Sequence, residues 1–294
     1  MPTTPVGRFA PSPTGALHFG SLLAALASYC QIRKLGGQWR LRIDDIDGPR
    51  SVPGSADSIQ RDLTAFGFEW DGNIIWQSEQ LARYHAALAS LVDQSVIFAC
   101  QCSRKTLPPG GIYPGSCRDK VIPASTDSQC RYHVDDHALR MRMDGCVQLT
   151  DTIQGSMRFD MQTEVGDTVV WRRDALVSYS LACAVDDTNG VTHVVRGADL
   201  LSGTAAQIAI MQALGKQPPE YAHVPVAINS NGDKLSKHSQ APAIAASDPL
   251  KQLKQAWKFL GQTEFDPGSI SEFWTGAFIL WNTACVPANH RKLV

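Results

Sequence analysis

The sequence predicts an α/β fold in which a parallel sheet covered by helices is interrupted by an inserted module. Three observations predict it. Strand-like and helix-like stretches alternate through the N-terminal third, the texture changes near residue 100, and the alternation returns with "VVWRRDALVSYSLACAVDD". At 294 residues, 44% hydrophobic and 19% charged, the chain is long enough for one large domain or two smaller ones sharing an interface.

Taken in order, "VGRFAP" reads as a first strand running into the helix "LLAALASYCQIRKLGG". Leu22, Leu26 and Tyr29 with Cys30 recur at helical spacing, and Gly36-Gly37 is a C-terminal stop. The strand "WRLRIDD" and the helix "SADSIQRDLTAFG" complete a β-α-β order. The middle carries cysteines, Pro-Pro-Gly-Gly and the short strand candidates "ALRMRM", "CVQLTD" and "SMRFDM", which predict a partly antiparallel module. Beyond it come the strand "VTHVVRG" and the helix "LLSGTAAQIAIMQALG", where Leu201, Ala205, Ile208 and Leu214 predict one buried face. The last two helices are "DPLKQLKQAWKFLG" and "ISEFWTGAFILWNTA".

A formal charge of −1 argues against holding nucleic acid by bulk electrostatics, and it neither supports nor excludes an RNA partner bound through local patches. The N-terminus has no secretion signal and no stretch is apolar enough to span a membrane, so a cytoplasmic protein without a membrane partner is expected. In that compartment the eight cysteines read as buried thiols plus a metal site rather than a disulfide framework.

Two stretches carry chemistry. In "PSPTGALHFGSLLAAL" the prolines stiffen the exit from the first strand, while Gly15 and Gly20 let the backbone turn and approach a ligand. The helix that follows offers free amides and the positive end of its dipole to a phosphate, and His18 stands where its imidazole can join them. The plain alternative is a strand–turn–helix with a surface histidine. Far downstream, "NSNGDKLSKHS" places Lys234 and Lys237 in a loop from which an ammonium can reach a triphosphate. Alone it reads as a solvated charge run; paired with "HFGS" it is specific.

"CQCSRKTLPPGGIYPGSC" gathers Cys100, Cys102 and Cys117 around a turn-rich middle, the start of a tetrahedral zinc site. Spacing leaves the fourth ligand open among Tyr113, Cys130 and His133.

"HFGS" early and "KLSK" late in a β-α chain resemble the two signatures of the class I aminoacyl-tRNA synthetases. "RFAPSPTGALHFGSL", "RIDDIDGPR", "YSLACAVDD", "VVRGADLLSGT" and "KLSKHS" resemble the glutamyl branch, in order, over about residues 7–240. The resemblance implies a Rossmann-like class I synthetase catalytic domain with an inserted zinc-containing α+β module and a short helical C-terminal segment. The catalytic halves would occupy 1–95 and 166–240, the module 96–165 and the helical segment 241–294. It implies ATP, with Mg2+, bound by His18, Gly20, Lys234 and Lys237, and catalysis by His18 and Lys237. L-glutamate would lie among Arg8, Ser12, Asp44, Tyr179 and Arg196. An arginine fork suits a carboxylate in a way that lysine cannot match, and the plain alternative for each arginine is a surface ion pair.

The resembled branch uses Cys-x-Cys, a tyrosine and a third cysteine for its structural zinc, which selects Cys100, Cys102, Tyr113 and Cys117. Two positions depart from the branch: Asp44 stands where glutamate is common, and Cys183 where asparagine is common. Only 57 residues follow Lys237, so the large helical anticodon-binding domain of the tRNA-charging enzymes is not expected here. Stand-alone cores of this description resemble the glutamyl-queuosine tRNA(Asp) synthetase family. That implies a monomer acting on the anticodon stem-loop of tRNA(Asp). A truncated glutamyl-tRNA synthetase charging a tRNA 3′ end, a silent paralogue and a small-molecule adenylylating ligase are the rival readings.

Overall fold

β1 (Val6–Phe9) is buried along its whole length, and the chain leaves it through the proline-rich turn into α1 (Phe19–Lys34) before returning as β2 (Gln38–Ile43). β2 lies parallel to β1, with Val6 opposite Gln38 and Phe9 opposite Leu41. Gly36, at φ 67°, turns the chain after α1, and a Cβ on Gly37 would collide with the Pro5 carbonyl. The glycine pair is therefore both a helix stop and a close approach.

The computed structural model describes residues 4–103, 107–108, 111–120, 122, 136–229, 243–244 and 247–293. After β2 the chain forms α2 (Ser55–Ala65), β3 (Ile75–Trp76), α3 (Leu81–Asp93) and β4 (Ile97–Cys100). Then follow β5 (Ala138–Met141), β6 (Cys146–Asp151), β7 (Gly155–Asp160), β8 (Thr168–Trp171), α4 (Tyr179–Asp187), β9 (His193–Gly197) and α5 (Leu201–Ala213). The remainder is β10 (Glu220–Val224), β11 (Val226–Ile228), α6 (Pro249–Phe259), α7 (Ile270–Leu280) and β12 (Arg291–Leu293). No described helix is long and apolar enough to cross a membrane.

Seven strands make the main sheet in the order β3-β2-β1-β9-β10-β6-β7, parallel throughout except for the β6–β7 hairpin. β1 and β9 are neighbours although most of the chain separates them. Strand order reverses there, and such a reversal opens a crevice outside the carboxyl ends of the strands.

The middle of the chain is arranged differently from the expected separate module. "CVQLTD" and "SMRFDM" form β6 and β7 at the edge of the main sheet, while β4, β5 and β8 make a three-stranded antiparallel sheet that reaches past residue 165. The reason lies in β6, whose alternate residues Val147, Leu149 and Asp151 are buried; Val147 and Leu149 share a core with Ala205, Ile208 and Met211 of α5. A strand with one apolar face docks wherever that face finds cover.

α1 is buried on more than the face that Leu22, Leu26, Tyr29 and Cys30 mark. Leu22, Leu23, Ala25, Leu26, Ala27, Tyr29, Cys30 and Ile32 are all buried, because the sheet covers one side and α6 and α7 the other. Tyr29 lies between Trp39 of β2, 4.8 Å between ring centres, and Trp274 of α7, 5.0 Å away. The two C-terminal helices are thus part of the wall that holds α1 in place.

Candidate active site

The crevice at the β1–β9 reversal is a cavity of about 340 Å³. Ser12 and His18 reach it from the turn, Gly20 from the first turn of α1, Arg8 from β1, Asp44 from the end of β2, Tyr179 from the start of α4 and Arg196 from β9. The candidates for ATP and glutamate within the described residues therefore meet in one place, and the metal candidates Cys100, Cys102, Tyr113 and Cys117 lie apart from it. Lys234 and Lys237 lie outside the described residues, as do Cys130 and His133.

The turn is held from several sides. The carbonyls of Pro11 and Pro13 accept the amides of Asp44 (3.0 Å) and Val52 (2.8 Å). Gly15, at φ 129°, exchanges hydrogen bonds with the Ser55 hydroxyl at the start of α2. His18 is the N-cap of α1, with Nδ1 accepting the Ser21 amide at 3.3 Å. No acidic residue occupies the first turn of α1, so the positive end of its dipole is left for an anion. The segment beyond the KLSK stretch returns to this spot: Ala243 bridges His18, and the Ile244 amide donates to the Leu17 carbonyl at 2.9 Å. On the other flank Val226 and Ala227 line the cavity.

Behind the cavity wall lies an ion network that motif reading did not resolve into roles. Asp187, fully buried, accepts Arg8 Nε and Nη2, both at 3.0 Å, and Arg42 Nη1 at 2.7 Å. Arg42 also grips Asp44 through Nε (2.6 Å) and Nη2 (3.2 Å). Burial works against ionisation of Asp187, but the two guanidiniums outweigh it and hold its carboxyl well below the usual range. Asp44 goes the other way. Burial, aided by the charges of Asp186 and Asp187, raises it to about 6 against the pull of Arg42. Asp186 accepts Gln77 and the Tyr84 hydroxyl, each at 2.8 Å. Cys183 sits 3.9 Å from Asp44 Oδ2 and 3.6 Å from Arg42 Nη2, and burial beside Asp44 pushes its thiol up to about 12, so it stays protonated. "RIDDID" and "YSLACAVDD" named these residues only as strings; two adjacent acids at the end of an apolar helix were the available signal.

Arg196 is different from its neighbours. Among the described residues its partners are all uncharged: His223 Nε2 at 3.2 Å from Nε, Thr204 Oγ1 at 2.7 Å and Gln207 Oε1 at 2.8 Å from Nη2. Nη1 is buried without an acceptor among the described residues. A guanidinium only 4% exposed and lacking a carboxylate partner is costly unless a ligand supplies the anion.

At the end of β4, the sulfurs of Cys100, Cys102 and Cys117 lie within 4.8 Å of one another. Cys102 and Cys117 are 3.8 Å apart, which matches the edge of a tetrahedron with zinc–sulfur bonds of about 2.3 Å. Arg140 Nε donates to Cys100 Sγ at 3.3 Å. The Tyr113 hydroxyl accepts the Cys117 amide at 2.8 Å. Burial raises the Cys117 thiol, yet hydrogen bonds from Tyr113, the Gln101 backbone and Cys102 bring it down to about 7. The donor set fits a structural zinc ion.

A switch-point crevice floored by a helix N-terminus and walled by buried arginines defines a class I synthetase core. The match to the family of class I tRNA synthetases (E and Q), catalytic domain, over residues 6–257 agrees, and the chain belongs to that family. Within it, the chain is 44% identical to the Glutamyl-Q tRNA(Asp) synthetase of Chromobacterium violaceum, covering 98% of this chain and 97% of that protein. It is 43% identical to the protein of the same name from Escherichia coli K12, over 96% of this chain and 90% of the other. Among solved structures, the glutamate-tRNA synthetase of Elizabethkingia anophelis has the same fold, with a TM-score of 0.76 at 22% identity over 99% of this chain and 68% of that one.

Proposed function

We propose that this chain uses ATP to activate L-glutamate as glutamyl-adenylate and transfers the glutamyl group to the cyclopentene-diol of queuosine in the anticodon of tRNA(Asp). The observation that carries the glutamate step is Arg196, a buried guanidinium on the cavity wall whose partners among the described residues are all neutral. A substrate carboxylate supplies the missing charge through paired hydrogen bonds. Relatives that bear the Glutamyl-Q tRNA(Asp) synthetase name along nearly their full length support the acceptor.

ATP enters as its Mg2+ complex with its phosphates over the N-terminus of α1. An oxygen of the glutamate α-carboxylate attacks the α-phosphorus, the bond to the bridging oxygen breaks, and pyrophosphate leaves. His18 and the first-turn amides of α1 face the charge that grows on the α-phosphate, and Lys237 with Lys234 joins them from the KLSK loop. Arg8, Ser12, Asp44 and Tyr179 line the place for the amino acid, and fixing both reactants in line lowers the entropic barrier. In the second step a queuosine hydroxyl attacks the acyl carbon, AMP leaves and the hydroxyl proton is released. A single-stranded loop that can be splayed into a pocket suits this step. Cys100, Cys102, Tyr113 and Cys117 would hold one zinc ion, which stabilises the fold around β4.

The test is glutamate-dependent ATP–pyrophosphate exchange without tRNA, followed by transfer of labelled glutamate to tRNA(Asp) carrying either queuosine or guanine at the anticodon's first position. Exchange without tRNA, with label only on the queuosine form, is expected. Label at the 3′ end of either tRNA would replace this reading with that of a tRNA-charging enzyme.

A further inference from the structure

We infer that His223 and Asp151 are positioning residues for substrate binding: a buried relay, Asp151–His223–Arg196, that aims the Arg196 guanidinium without neutralising it. The inference rests on the reading of Arg196 as the cation for a glutamate carboxylate.

The relay follows from strand register. β9 and β10 are parallel with Arg196 opposite His223, so the two side chains leave the same face of the sheet as neighbours. Asp151 ends β6, the next strand, where it pairs with Tyr221. All three side chains are buried. Asp151 is fixed first: Oδ1 accepts the amides of Ile153 (2.9 Å), Gln154 (2.8 Å) and His223 (3.1 Å). Oδ2 lies 2.6 Å from His223 Nδ1. A carboxylate held by three amides is an acceptor, so the imidazole places its hydrogen on Nδ1 and leaves the Nε2 lone pair facing Arg196 Nε at 3.2 Å and the Thr204 hydroxyl at 3.0 Å. The opposite tautomer would set an N–H against the N–H of the guanidinium. Burial favours the neutral imidazole, in agreement with this arrangement.

The spacer has a purpose that a direct ion pair would defeat. Arg8 meets Asp187 directly and has its charge matched within the protein. Arg196 instead meets an uncharged nitrogen, with Thr204 and Gln207 of α5 fixing the other side of its fork. The guanidinium is locked in direction and still owed a counter-charge. Neither the histidine nor the aspartate needs to touch the substrate to set glutamate affinity.

The test compares KM for glutamate and for ATP in the exchange reaction across four variants. His223→Asn keeps a donor for Asp151 but cannot reach Arg196, and should raise the glutamate KM about tenfold, as expected for one charged hydrogen bond, with the ATP KM unchanged. His223→Gln extends an acceptor toward the Nε2 position and should recover most of that loss. Asp151→Asn offers Nδ1 a donor instead of an acceptor, drives the imidazole to the wrong tautomer, and should also raise the glutamate KM. Arg196→Gln separates the two claims. If it leaves the glutamate KM unchanged, the reading of Arg196 itself fails. If it raises that KM while His223→Asn and Asp151→Asn do not, the relay is overturned. Nitrogen-15 shifts of His223 in the unaltered protein, assigned by their disappearance in His223→Gln, give a readout independent of variant folding. Protonated Nδ1 with bare Nε2 is expected, and the reverse would overturn the relay.

Discussion

Replacing Asp187 by asparagine removes one negative charge and almost no volume from the centre of the arginine network. The carboxylate accepts three guanidinium hydrogen bonds, two from Arg8 and one from Arg42, in a fully buried setting. In Asp187→Asn one oxygen still accepts, but the amide nitrogen points a donor at an arginine, and Arg8 loses the only carboxylate it contacts among the described residues. Breaking a buried pair by removing one partner costs about 3–5 kcal/mol. For a chain of this size that is a fall in Tm of about 10 °C. The assay is urea unfolding followed by tryptophan fluorescence, with the slope checked so that the midpoint reports stability. The sign with pH is a second check. A carboxyl held below its ordinary value stabilises the native state above the unfolded pKa of 3.8, and that contribution is lost as pH falls through the lower folded value. The gap between the two proteins should therefore be constant from neutral pH downward and close only in strong acid. A loss under about 1 kcal/mol at neutral pH, with an unchanged slope, would refute the view that Asp187 is the counter-ion of this network.

Asp44, raised to about 6 among Arg42, Cys183, Asp186 and Asp187, should be ionised for the substrate ammonium only above that value. Glutamate kcat/KM should fall as pH drops through about 6, whereas Asp44's own contribution to folding runs oppositely, present in acid and lost as pH rises through about 6. A pH–rate profile flat from 5 to 8 would contradict this. Cys117→Ser should lower zinc from one ion per chain and reduce thermal stability while leaving the KM for glutamate unchanged, as read by elemental analysis beside exchange kinetics; a wild-type protein without zinc would end the idea. Lys237→Ala should cut kcat for exchange about 10²–10³-fold, the scale for losing a group that meets developing charge. A change confined to KM would place that lysine on ground-state binding instead.

What the sequence made legible was whatever is local. β6 was bounded correctly because Val147 and Leu149 alternate with polar residues, and the proline-rich turn was placed because prolines, glycines and a histidine before an apolar helix have few other uses together. Its sheet partner was not legible: the edge that β6 joins is set by β10, some seventy residues away, and one-dimensional alternation does not name a neighbour. The same limit hid the division of labour among the arginines. Arg8, Arg42 and Arg196 look alike as letters, and only the fold gives two of them carboxylates and the third a histidine. α3 was missed because Tyr84, Leu88 and Leu91 make a short stripe in a segment without a chemical motif.

The enclosure of α1 by the sheet on one side and by α6 and α7 on the other has a consequence for how any ligand is received. A helix wedged by Trp39 and Trp274 against both flanks of Tyr29 cannot tilt toward an incoming phosphate. Its open end behaves as a fixed datum from which positions in the crevice are measured.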